Sequence, residues 1–321
     1  MRVSLFGGGT DYPVFFEEFG GAVLGMAVEY YSYIAVSDVP DNQYMLRYSE
    51  NETVNRIDEI RHHGIKACLL HRHMDFPIQI SHMSDMPARA GLGTSSSFTV
   101  GLLHALSVLL AQKNNNPETI SPTSPMMLIK DAWHVERDLM GETVGSQDQV
   151  FAVLGGLRRI LFEPDHTIST RPILNKDAKR LIEDYLYLIP TGYYRTASEV
   201  AKKQVELTPS KQAELLAMKE MVEEGRSILE DSPDPRRLGR LLMESWLLKK
   251  GLTDRICPPN VEVFLNSIAH LTYGLKLIGA GGGGTVLVCM EPSQINRVKT
   301  ITGKPVLPIR IAQHGSRAIV E

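Results

Sequence analysis

The feature that most constrains the fold of this chain is the stretch of residues 86–110, where a glycine-rich turn precedes a long apolar run. Gly91 and Gly93 allow backbone conformations that other residues avoid, so successive N–H groups can converge on one point. The hydroxyl residues 94–97 can cap the start of a helix and offer oxygen ligands to a cation. Because a helix N-terminus attracts anions, we predict a phosphate-binding turn on a buried central helix. A buried helix with a flexible cap and no ligand is the alternative that this stretch alone leaves open.

The composition predicts one large or two medium domains, because a chain of 321 residues exceeds a single small core. Hydrophobic residues make up 43% and charged residues 22%, both ordinary values for a soluble globular protein. The formal net charge of −3 supplies no basic footprint for a polyanion. We therefore expect no nucleic-acid partner.

Cysteine use and hydropathy predict a cytoplasmic protein. Cys68, Cys257 and Cys289 lie far apart and form no CxxC pair, which indicates a reducing compartment without structural zinc. There is no apolar run of about 18 residues and no basic–apolar–small pattern at the N-terminus. We therefore expect neither a membrane span nor a signal peptide.

Four histidines in the segment 57–74 invite a metal-site interpretation: His62, His63, His71 and His73. The members of each pair are one or two positions apart and do not share a helix face. No HExxH spacing occurs either. A solvated surface is the favoured interpretation of this cluster.

The order of the expected elements indicates an α+β fold with antiparallel sheet in both halves, because helices and strands mix without strict alternation. The polar, proline-bearing stretch 162–176 is the candidate domain boundary. We therefore predict two domains, residues 1–162 and residues 163–321.

Two further glycine-rich segments flank the central one, at residues 7–9 and 279–284. The first is not a dinucleotide fingerprint, since the position of its third glycine is occupied by Tyr12. The second has the spacing GxGxxG, but an expected strand follows it and only about 40 residues remain. No βαβ unit with a downstream acid fits there, so we discard a dehydrogenase.

Together the three segments resemble the motifs of the GHMP small-molecule kinases, named for galactokinase, homoserine kinase, mevalonate kinase and phosphomevalonate kinase. The first motif matches residues 2–12, the second residues 87–97 and the third residues 279–286, in the family's order over nearly the whole chain. The resemblance implies a two-domain GHMP kinase fold of class α+β. Its N-terminal half would be ribosomal-S5-domain-2-like and its C-terminal half ferredoxin-like.

Within that family the strings GGGTDYP, EEFGGAVLGMAVEYY, GLGTSSSFTVGLLHAL and HVERDLMGETVGSQDQ look like the D-glycero-D-manno-heptose 7-phosphate kinase branch. This resemblance implies an ATP-dependent sugar kinase that phosphorylates the anomeric C1 hydroxyl to give the 1,7-bisphosphate, in nucleotide-activated heptose biosynthesis. Gly8 and Gly9 stand where galactokinase-like members carry Glu-His, which argues against galactose. A GHMP kinase for another sugar 1-hydroxyl, such as fucose, galactose or a uronic acid, is the nearest alternative.

The expected partners are ATP and a small sugar phosphate, with the chain acting as a monomer or homodimer. The alternative from another class is a non-catalytic binding protein, since the N-terminal half of this fold resembles a ribosomal-protein domain. The negative net charge and the presence of Asp148, Glu136 and Ser95 together speak against that alternative.

By resemblance, Asp148 is the catalytic base that accepts the proton of the anomeric hydroxyl. Arg2 would lie beside it, keep the carboxylate ionised and stabilise charge on the phosphoryl group in transfer. Family members carry several residues before this arginine, whereas only Met1 precedes it here. We therefore expect either a shortened first strand or a start that is mis-assigned or truncated.

The resemblance also implies the cofactors ATP and Mg²⁺. Ser95 and Glu136 would be the metal ligands, with Glu136 on an expected helix over 125–140. The residues expected to bind the nucleotide are Pro87, Arg89, Gly91, Leu92, Gly93, Thr94, Ser95, Ser96 and Ser97.

The predicted sugar site is centred on Asp11, because a carboxylate is a strong hydrogen-bond acceptor for a polyol, and Thr10 can assist. An Asx turn before Pro13 is the structural alternative for Asp11. The residues expected to contact the substrate are Gly8, Gly9, Thr10, Asp11, Gly145, Arg195, Gly281 and Gly282.

A sugar that already carries a phosphate requires cations, for which Arg195, Lys249 and Lys250 are the candidates. We expect Arg195→Ala to raise the KM for the phosphorylated sugar more than the KM for ATP, because a cationic partner of the sugar phosphate is lost. Steady-state kinetics with each substrate varied in turn checks this. An unchanged sugar KM would remove Arg195 from the candidates.

Overall fold

The computed structural model describes residues 1–113, 124–193 and 197–320, whose helices pack on three four-stranded sheets. The strands are β1 (Arg2–Phe6), β2 (Gly21–Ala27), β3 (Ser32–Asp38), β4 (Tyr44–Arg47), β5 (Asn51–Val54), β6 (Ile78–Ser84), β7 (Leu157–Phe162), β8 (Ile168–Pro172), β9 (Leu186–Pro190), β10 (Gly274–Leu277), β11 (Thr285–Cys289) and β12 (Leu307–Pro308). The helices are α1 (Pro13–Phe19), α2 (His63–His71), α3 (Thr94–Lys113), α4 (Pro125–His134), α5 (Gln147–Leu154), α6 (Lys176–Tyr185), α7 (Ala197–Leu207), α8 (Gln212–Asp231), α9 (Pro235–Lys250), α10 (Pro259–Ala269) and α11 (Ile295–Thr302).

Antiparallel pairing dominates the three sheets. The first sheet has the order β1-β2-β7-β8, the second β3-β6-β4-β5 and the third β10-β11-β9-β12. Among the described strands, β4 and β6 alone pair in parallel. The predicted α+β class is therefore confirmed. The domain boundary between residues 162 and 163 stays a prediction, and the hairpin of β7 and β8 runs across it.

Helix α3, predicted to be buried, is enclosed mainly along its N-terminal part. Phe98, Leu102 and Leu106 are 6% exposed or less and belong to the core beneath the second sheet. The last two turns are half-exposed. In the described part of the chain, α3 is the one helix long and apolar enough to cross a membrane, and half of its apolar window is buried inside the protein. Core helices of globular proteins give the same signal.

The expected helix over 125–140 is wrong at its C-terminal end. After His134 the backbone widens into a π-helix, Val135–Leu139, in which the N–H of Met140 donates to the carbonyl of Val135 at 3.0 Å. A wide turn of this kind redirects successive side chains, and such turns are common at functional sites. This one carries Glu136.

Strand β1 joins the first sheet to the third through a buried lysine. The register of β1 against β2 shifts between Ser4 and Phe6, so Leu5 is left out of the regular ladder. Its carbonyl instead accepts a hydrogen bond from Nζ of Lys276 on β10, at 2.7 Å. Burial lowers the pKa of Lys276 well below its usual range. The lysine thereby fixes the position of the strand that begins with Arg2.

Two glycines bring helix α9 into direct contact with strand β10. A Cβ atom on Gly274 would lie 1.8 Å from the carbonyl oxygen of Gly239, and one on Gly239 would lie 2.4 Å from Cβ of Tyr273. Both separations are far below van der Waals contact, so only glycine fits at either position. This close approach holds the end of α9, with Lys249 and Lys250, beside the loop that follows β10.

We expect Gly274→Ala to lower the free energy of unfolding by about 3 kcal/mol, the upper part of the range for overpacked cores, because backbone must move. Gly251→Ala is the matched control, since the nearest atom to its Cβ position lies at 3.3 Å and its φ is −74°. Denaturant unfolding of both variants measures the difference. Equal stability of Gly274→Ala and the wild type would contradict the proposed packing.

Candidate active site

Arg2 and Asp148 form a bidentate ion pair between strand β1 and helix α5. Nε of Arg2 donates to Oδ1 of Asp148 at 2.7 Å, and Nη2 donates to Oδ2 at 2.8 Å. The Arg2 side chain is 9% exposed and the Asp148 side chain 21% exposed. The guanidinium is thus largely enclosed, while the carboxylate keeps access to a small molecule.

The pKa of Asp148 is raised, because burial of the carboxylate outweighs its attraction to Arg2. Asp11 raises this pKa further, and the N-terminal ammonium group lowers it. The predicted effect of Arg2, which favours the ionised carboxylate, is present but smaller than the effect of burial. A carboxylate with a raised pKa is a better proton acceptor near neutral pH.

The glycine-rich turn predicted to bind phosphate lies directly against this ion pair. Arg2 donates from Nη1 to the carbonyl of Gly91, and from its backbone N–H to the carbonyl of Leu92 at 2.9 Å. Gly93 has a φ of +69°, and a Cβ atom there would lie 2.9 Å from Oδ2 of Asp148. The start of helix α3 therefore comes within contact distance of the Asp148 carboxylate.

The residues predicted to bind the nucleotide form one continuous turn and helix start. Of these, Pro87, Arg89 and Ser95 are exposed, Gly91, Gly93, Thr94 and Ser97 are half-buried, and Leu92 and Ser96 are buried. The first N–H groups of a helix lack partners within that helix, so this end of α3 has donors for an anion. Their contact with a nucleotide stays a prediction.

The third glycine segment packs on the same turn, backbone against backbone. A Cβ atom on Gly279 would lie 2.7 Å from Cα of Gly91. One on Gly284 would lie 3.0 Å from the carbonyl oxygen of Ala90. The two glycine segments, which are far apart in the sequence, are thus held in register without intervening side chains.

The rest of the third glycine segment is held by Lys249 and by the residues just before α10. The N–H of Gly282 donates to the carbonyl of Ile256 at 2.8 Å, and a Cβ atom on Gly281 would lie 2.9 Å from Cα of Ile256. Nζ of Lys249 donates to two carbonyl groups at the start of the loop, the first at 3.2 Å. Lys249 is 7% exposed, and burial lowers its pKa to about 7.

Asp11 links the first glycine segment to the start of helix α5. Its carboxylate accepts hydrogen bonds from the N–H groups of Gly9 at 3.0 Å, Ser146 at 3.0 Å and Gln147 at 3.2 Å. A Cβ atom on Gly145 would lie 2.2 Å from Oδ2 of Asp11. Asp11 is 1% exposed, so it stabilises this helix start. Its contact with a sugar stays a prediction.

Thr10 and Gly8 complete the first glycine segment. Oγ1 of Thr10 lies 2.8 Å from the carbonyl oxygens of Gly7 and Ala22 and accepts from the N–H of Ala22 at 3.1 Å. These bonds tie the segment to β2. Gly8 is half-buried, and its Cβ position is 3.3 Å from Oγ of Ser4. The assistance of Thr10 in sugar binding also stays a prediction.

Glu136 is fully buried and accepts a hydrogen bond from Ser96, the neighbour of Ser95, which was predicted to share a cation with Glu136. Oγ of Ser96 donates to Oε2 of Glu136 at 3.0 Å, and Nε2 of Gln149 donates to the same oxygen. Burial raises the pKa of Glu136 to about 7, although these hydrogen bonds lower it. Oε1 is buried without a partner among the described residues. Such an oxygen fits the ligand set of a hard cation such as Mg²⁺.

Two of the residues predicted to bind the sugar phosphate, Lys250 and Arg195, are not placed at this site by the structure. Nζ of Lys250 donates to Glu262 at 2.8 Å, and Arg195 lies outside the described residues. In the histidine cluster, Nε2 of His71 pairs with Asp131 at 3.3 Å. Over the described parts of the chain, no group of three or more His, Cys, Asp or Glu side chains is arranged to hold a metal.

The sequence interpretation missed Gln149 and Lys276. A buried glutamate requires hydrogen-bond donors, so the polar residue that follows Asp148 was an available signal. Lys276 is the single lysine in an apolar strand that leads into a glycine loop. A lysine in such a strand is unusual, because lysine is rarely buried. Its partner, the carbonyl of Leu5, could be identified only from the fold.

We expect Glu136→Gln to become more stable relative to the wild type as the pH rises from 5 to 8. The pKa of Glu136 is about 7 in the folded chain and about 4.3 in an unfolded one. The folded state therefore binds the proton more tightly, and the wild type loses on the order of 3 kcal/mol as pH rises through this window. Glutamine has no proton to lose.

Thermal unfolding without nucleotide or divalent cation measures this effect. Glu224→Gln, which changes an exposed glutamate on α8, is the control and should track the wild type. A stability difference for Glu136→Gln that is independent of pH would contradict the raised pKa.

Taken together, the site offers a proton acceptor, a guanidinium beside it, a helix N-terminus and a buried carboxylate oxygen without a partner. A hydroxyl group at Asp148 could lose its proton there, while an anion at the start of α3 would be stabilised. This combination suits transfer of a phosphoryl group to a hydroxyl.

Comparison with known proteins agrees with this chemistry. Residues 61–156 match the family model described as GHMP kinases N terminal domain, and residues 218–301 match GHMP kinases C terminal. Together the two matches cover more than half of the chain.

Three similar proteins illustrate the range of sugar kinases that this chain resembles. A D-glycero-alpha-D-manno-heptose 7-phosphate kinase of Campylobacter jejuni is 24% identical, over 94% of this chain and 91% of its own length. An L-fucokinase/L-fucose-1-P guanylyltransferase of Bacteroides fragilis is 25% identical over 94% of this chain, which spans only 35% of that protein. The solved structure of a D-glycero-D-manno-heptose 1-phosphate kinase from Bacteroides thetaiotaomicron is 20% identical, with a TM-score of 0.77 over 100% of this chain and 98% of that one.

These matches confirm the predicted two-domain α+β GHMP kinase fold. The chain belongs to the GHMP kinase family and is an ATP-dependent phosphotransferase.

Proposed function

We propose that the chain transfers the γ-phosphoryl group of ATP to the anomeric C1 hydroxyl of D-glycero-D-manno-heptose 7-phosphate. The product is the 1,7-bisphosphate, an intermediate in nucleotide-activated heptose biosynthesis in the cytoplasm. The observation that carries the chemistry is the Arg2–Asp148 ion pair in contact with the glycine-rich turn. The choice of sugar is supported by the similarity to the Campylobacter jejuni heptose 7-phosphate kinase along nearly all of both chains.

In this reaction the C1 oxygen forms a bond to the γ-phosphorus as the bond between that phosphorus and the bridging oxygen of ADP breaks. Asp148 accepts the proton of the C1 hydroxyl through a carboxylate whose pKa is already raised by burial. Arg2 holds that carboxylate from two nitrogens and stabilises negative charge on the group in transfer. Most of the remaining catalysis is positioning of the two substrates.

The nucleotide phosphates bind at the turn 87–97, where N–H groups at the start of α3 are available as donors. Ser95 and Glu136 are the proposed Mg²⁺ ligands, and the unpartnered Oε1 of Glu136 fits that role. When bound, Mg²⁺ neutralises charge on the phosphates. Because the carboxylate must be ionised to bind the cation, a pKa of about 7 makes this step sensitive to pH.

The sugar lies against the first and third glycine segments, which bring backbone close to it. Its proposed contacts are Gly8, Gly9, Thr10, Asp11, Gly145, Gly281, Gly282 and Arg195. Both segments adjoin the ion pair through contacts already described, since Asp11 binds the start of α5 and Gly279 lies on Gly91. The chain acts as a monomer or homodimer in this proposal.

The second candidate function is that of a GHMP kinase for the 1-hydroxyl of another sugar. Fucose is the preferred substrate of this alternative, ahead of galactose and uronic acids. It is favoured by the similarity to the Bacteroides fragilis L-fucokinase/L-fucose-1-P guanylyltransferase, which aligns with 94% of this chain. Gly8 and Gly9, which replace the Glu-His of galactokinase-like members, count against galactose.

A substrate panel tests the proposal. We expect kcat/KM for heptose 7-phosphate to exceed that for the same heptose without phosphate, fucose, galactose and glucuronate by at least about 100-fold. A site built to pair a charged group rejects analogues that lack it by such factors. ADP release measures turnover, and phosphorus NMR locates the new phosphate. Turnover of fucose but not of heptose 7-phosphate would overturn the first candidate in favour of the second.

Asp148→Asn is the companion variant, because it keeps the shape of the side chain but removes the proton acceptor. Its kcat should fall by roughly 10²–10⁴-fold, the usual contribution of a general base. The exposed Glu224→Gln should retain wild-type turnover. A loss of only a few-fold in Asp148→Asn would assign this residue to positioning instead of proton transfer.

A further inference from the structure

Arg137 is a cation that the structure holds in place from two sides. It extends from the π-helix Val135–Leu139, and its Nη2 donates to Oγ of Ser146 at 2.6 Å. Its guanidinium carbon lies 5.1 Å from the ring centre of Trp133. Trp133 in turn donates from Nε1 to the carbonyl of Ser146 at 3.2 Å. Both contacts tie Arg137 to the residue that precedes helix α5.

The charge of Arg137 has no carboxylate partner among the described residues, because its one hydrogen bond goes to a serine hydroxyl. Its Nε is buried without a partner. A guanidinium carries five N–H donors, so most of them are unused here. Cations that are mostly enclosed are normally paired, and an unpaired one is costly. The arrangement is therefore incomplete without an anion.

The residue that anchors Arg137 belongs to the active site. Ser146 accepts from Arg137 through Oγ, and its backbone N–H donates to Oδ2 of Asp11 at 3.0 Å. Arg137 is therefore one residue away from the carboxylate at the centre of the proposed sugar site.

The two arginines are anchored close together at the N-terminal end of α5. Arg2 binds Asp148, and Arg137 binds Ser146, two positions earlier in the chain. Two residues span at most about 7 Å of extended chain. Because their anchoring residues lie this close together, one phosphorylated sugar could contact both arginines.

We propose that Arg137 binds the phosphate group of a phosphorylated sugar, at the end of the sugar remote from the hydroxyl that reacts. A guanidinium recognises the oxygens of a phosphomonoester through parallel hydrogen bonds, and Ser146 and Trp133 fix its plane. The placement of the sugar rests on the proposed function. The class of ligand, a phosphomonoester dianion, rests on the unpaired guanidinium itself.

Other nearby cations are less suited to this role. Nζ of Lys249 is buried and already donates to two carbonyl groups of the third glycine segment. Lys250 is paired with Glu262. Arg137 alone of these three has no carboxylate or carbonyl partner among the residues described.

Steady-state kinetics of Arg137→Gln tests the proposal. Three substrates are varied in turn: heptose 7-phosphate, the same heptose without phosphate, and ATP. We expect the KM for heptose 7-phosphate to rise about 10- to 100-fold, as for loss of a charge-assisted hydrogen-bond pair. The KM for ATP and the kcat/KM for the unphosphorylated heptose should stay within about twofold. Arg137→Lys should recover part of the loss, because it keeps the charge without the planar fork.

Arg240→Gln is the matched control, because Arg240 is exposed on α9. It should leave all three parameters unchanged. Equal loss with both heptoses would overturn the proposal and limit Arg137 to holding Ser146. An unchanged KM for heptose 7-phosphate would overturn it as well.

Inorganic phosphate separates this proposal from the proposed function. If the wild type does not use heptose 7-phosphate, the proposed function fails, and phosphate is then tested as a competitor of the sugar that is turned over. Competition that Arg137→Gln weakens at least about 10-fold supports the phosphate site. Absent competition, or equal competition in both proteins, overturns it.

Discussion

The bidentate ion pair of Arg2 with Asp148 is the interaction on which the rest of the site depends. It joins the first strand to helix α5, and it forms beside a turn that passes within contact distance of the carboxylate. That approach requires Gly93, since any Cβ atom there would lie 2.9 Å from Oδ2. The ion pair and the glycine-rich turn are therefore one structural unit, so displacement of either moves the other.

Two buried lysines support this unit through backbone carbonyl groups, and neither has a carboxylate partner among the described residues. Lys249 and Lys276 are buried and donate to backbone carbonyls, and burial lowers the pKa of both. Each lysine fixes a segment of the site, the third glycine loop in one case and strand β1 in the other. Because burial disfavours the charged form of both lysines, their role here is to donate hydrogen bonds that hold the backbone in place.

The sequence was sufficient for the fold class and for the glycine segments, because glycine spacing and the residues next to it carry a specific pattern. It was insufficient where partners come from distant elements. Glu136 was predicted to be a metal ligand together with Ser95, but burial of its carboxylate and its hydrogen bond from Ser96 were not predicted, and the π-helix that orients it has no clear sequence signal. Asp11 was expected at a sugar, whereas its carboxylate also receives three backbone N–H groups from loops that meet only in the folded chain.

The pKa of Glu136 has a consequence for how the enzyme is charged with its cation. Burial raises this pKa to about 7, so the carboxyl group gains or loses its proton in the neutral pH range. In the proposed Mg²⁺ site, a divalent cation would displace this proton, so metal uptake and proton release would form a single linked equilibrium. Under that proposal, the acidity of the surroundings would set the cation concentration at which half of the enzyme is loaded.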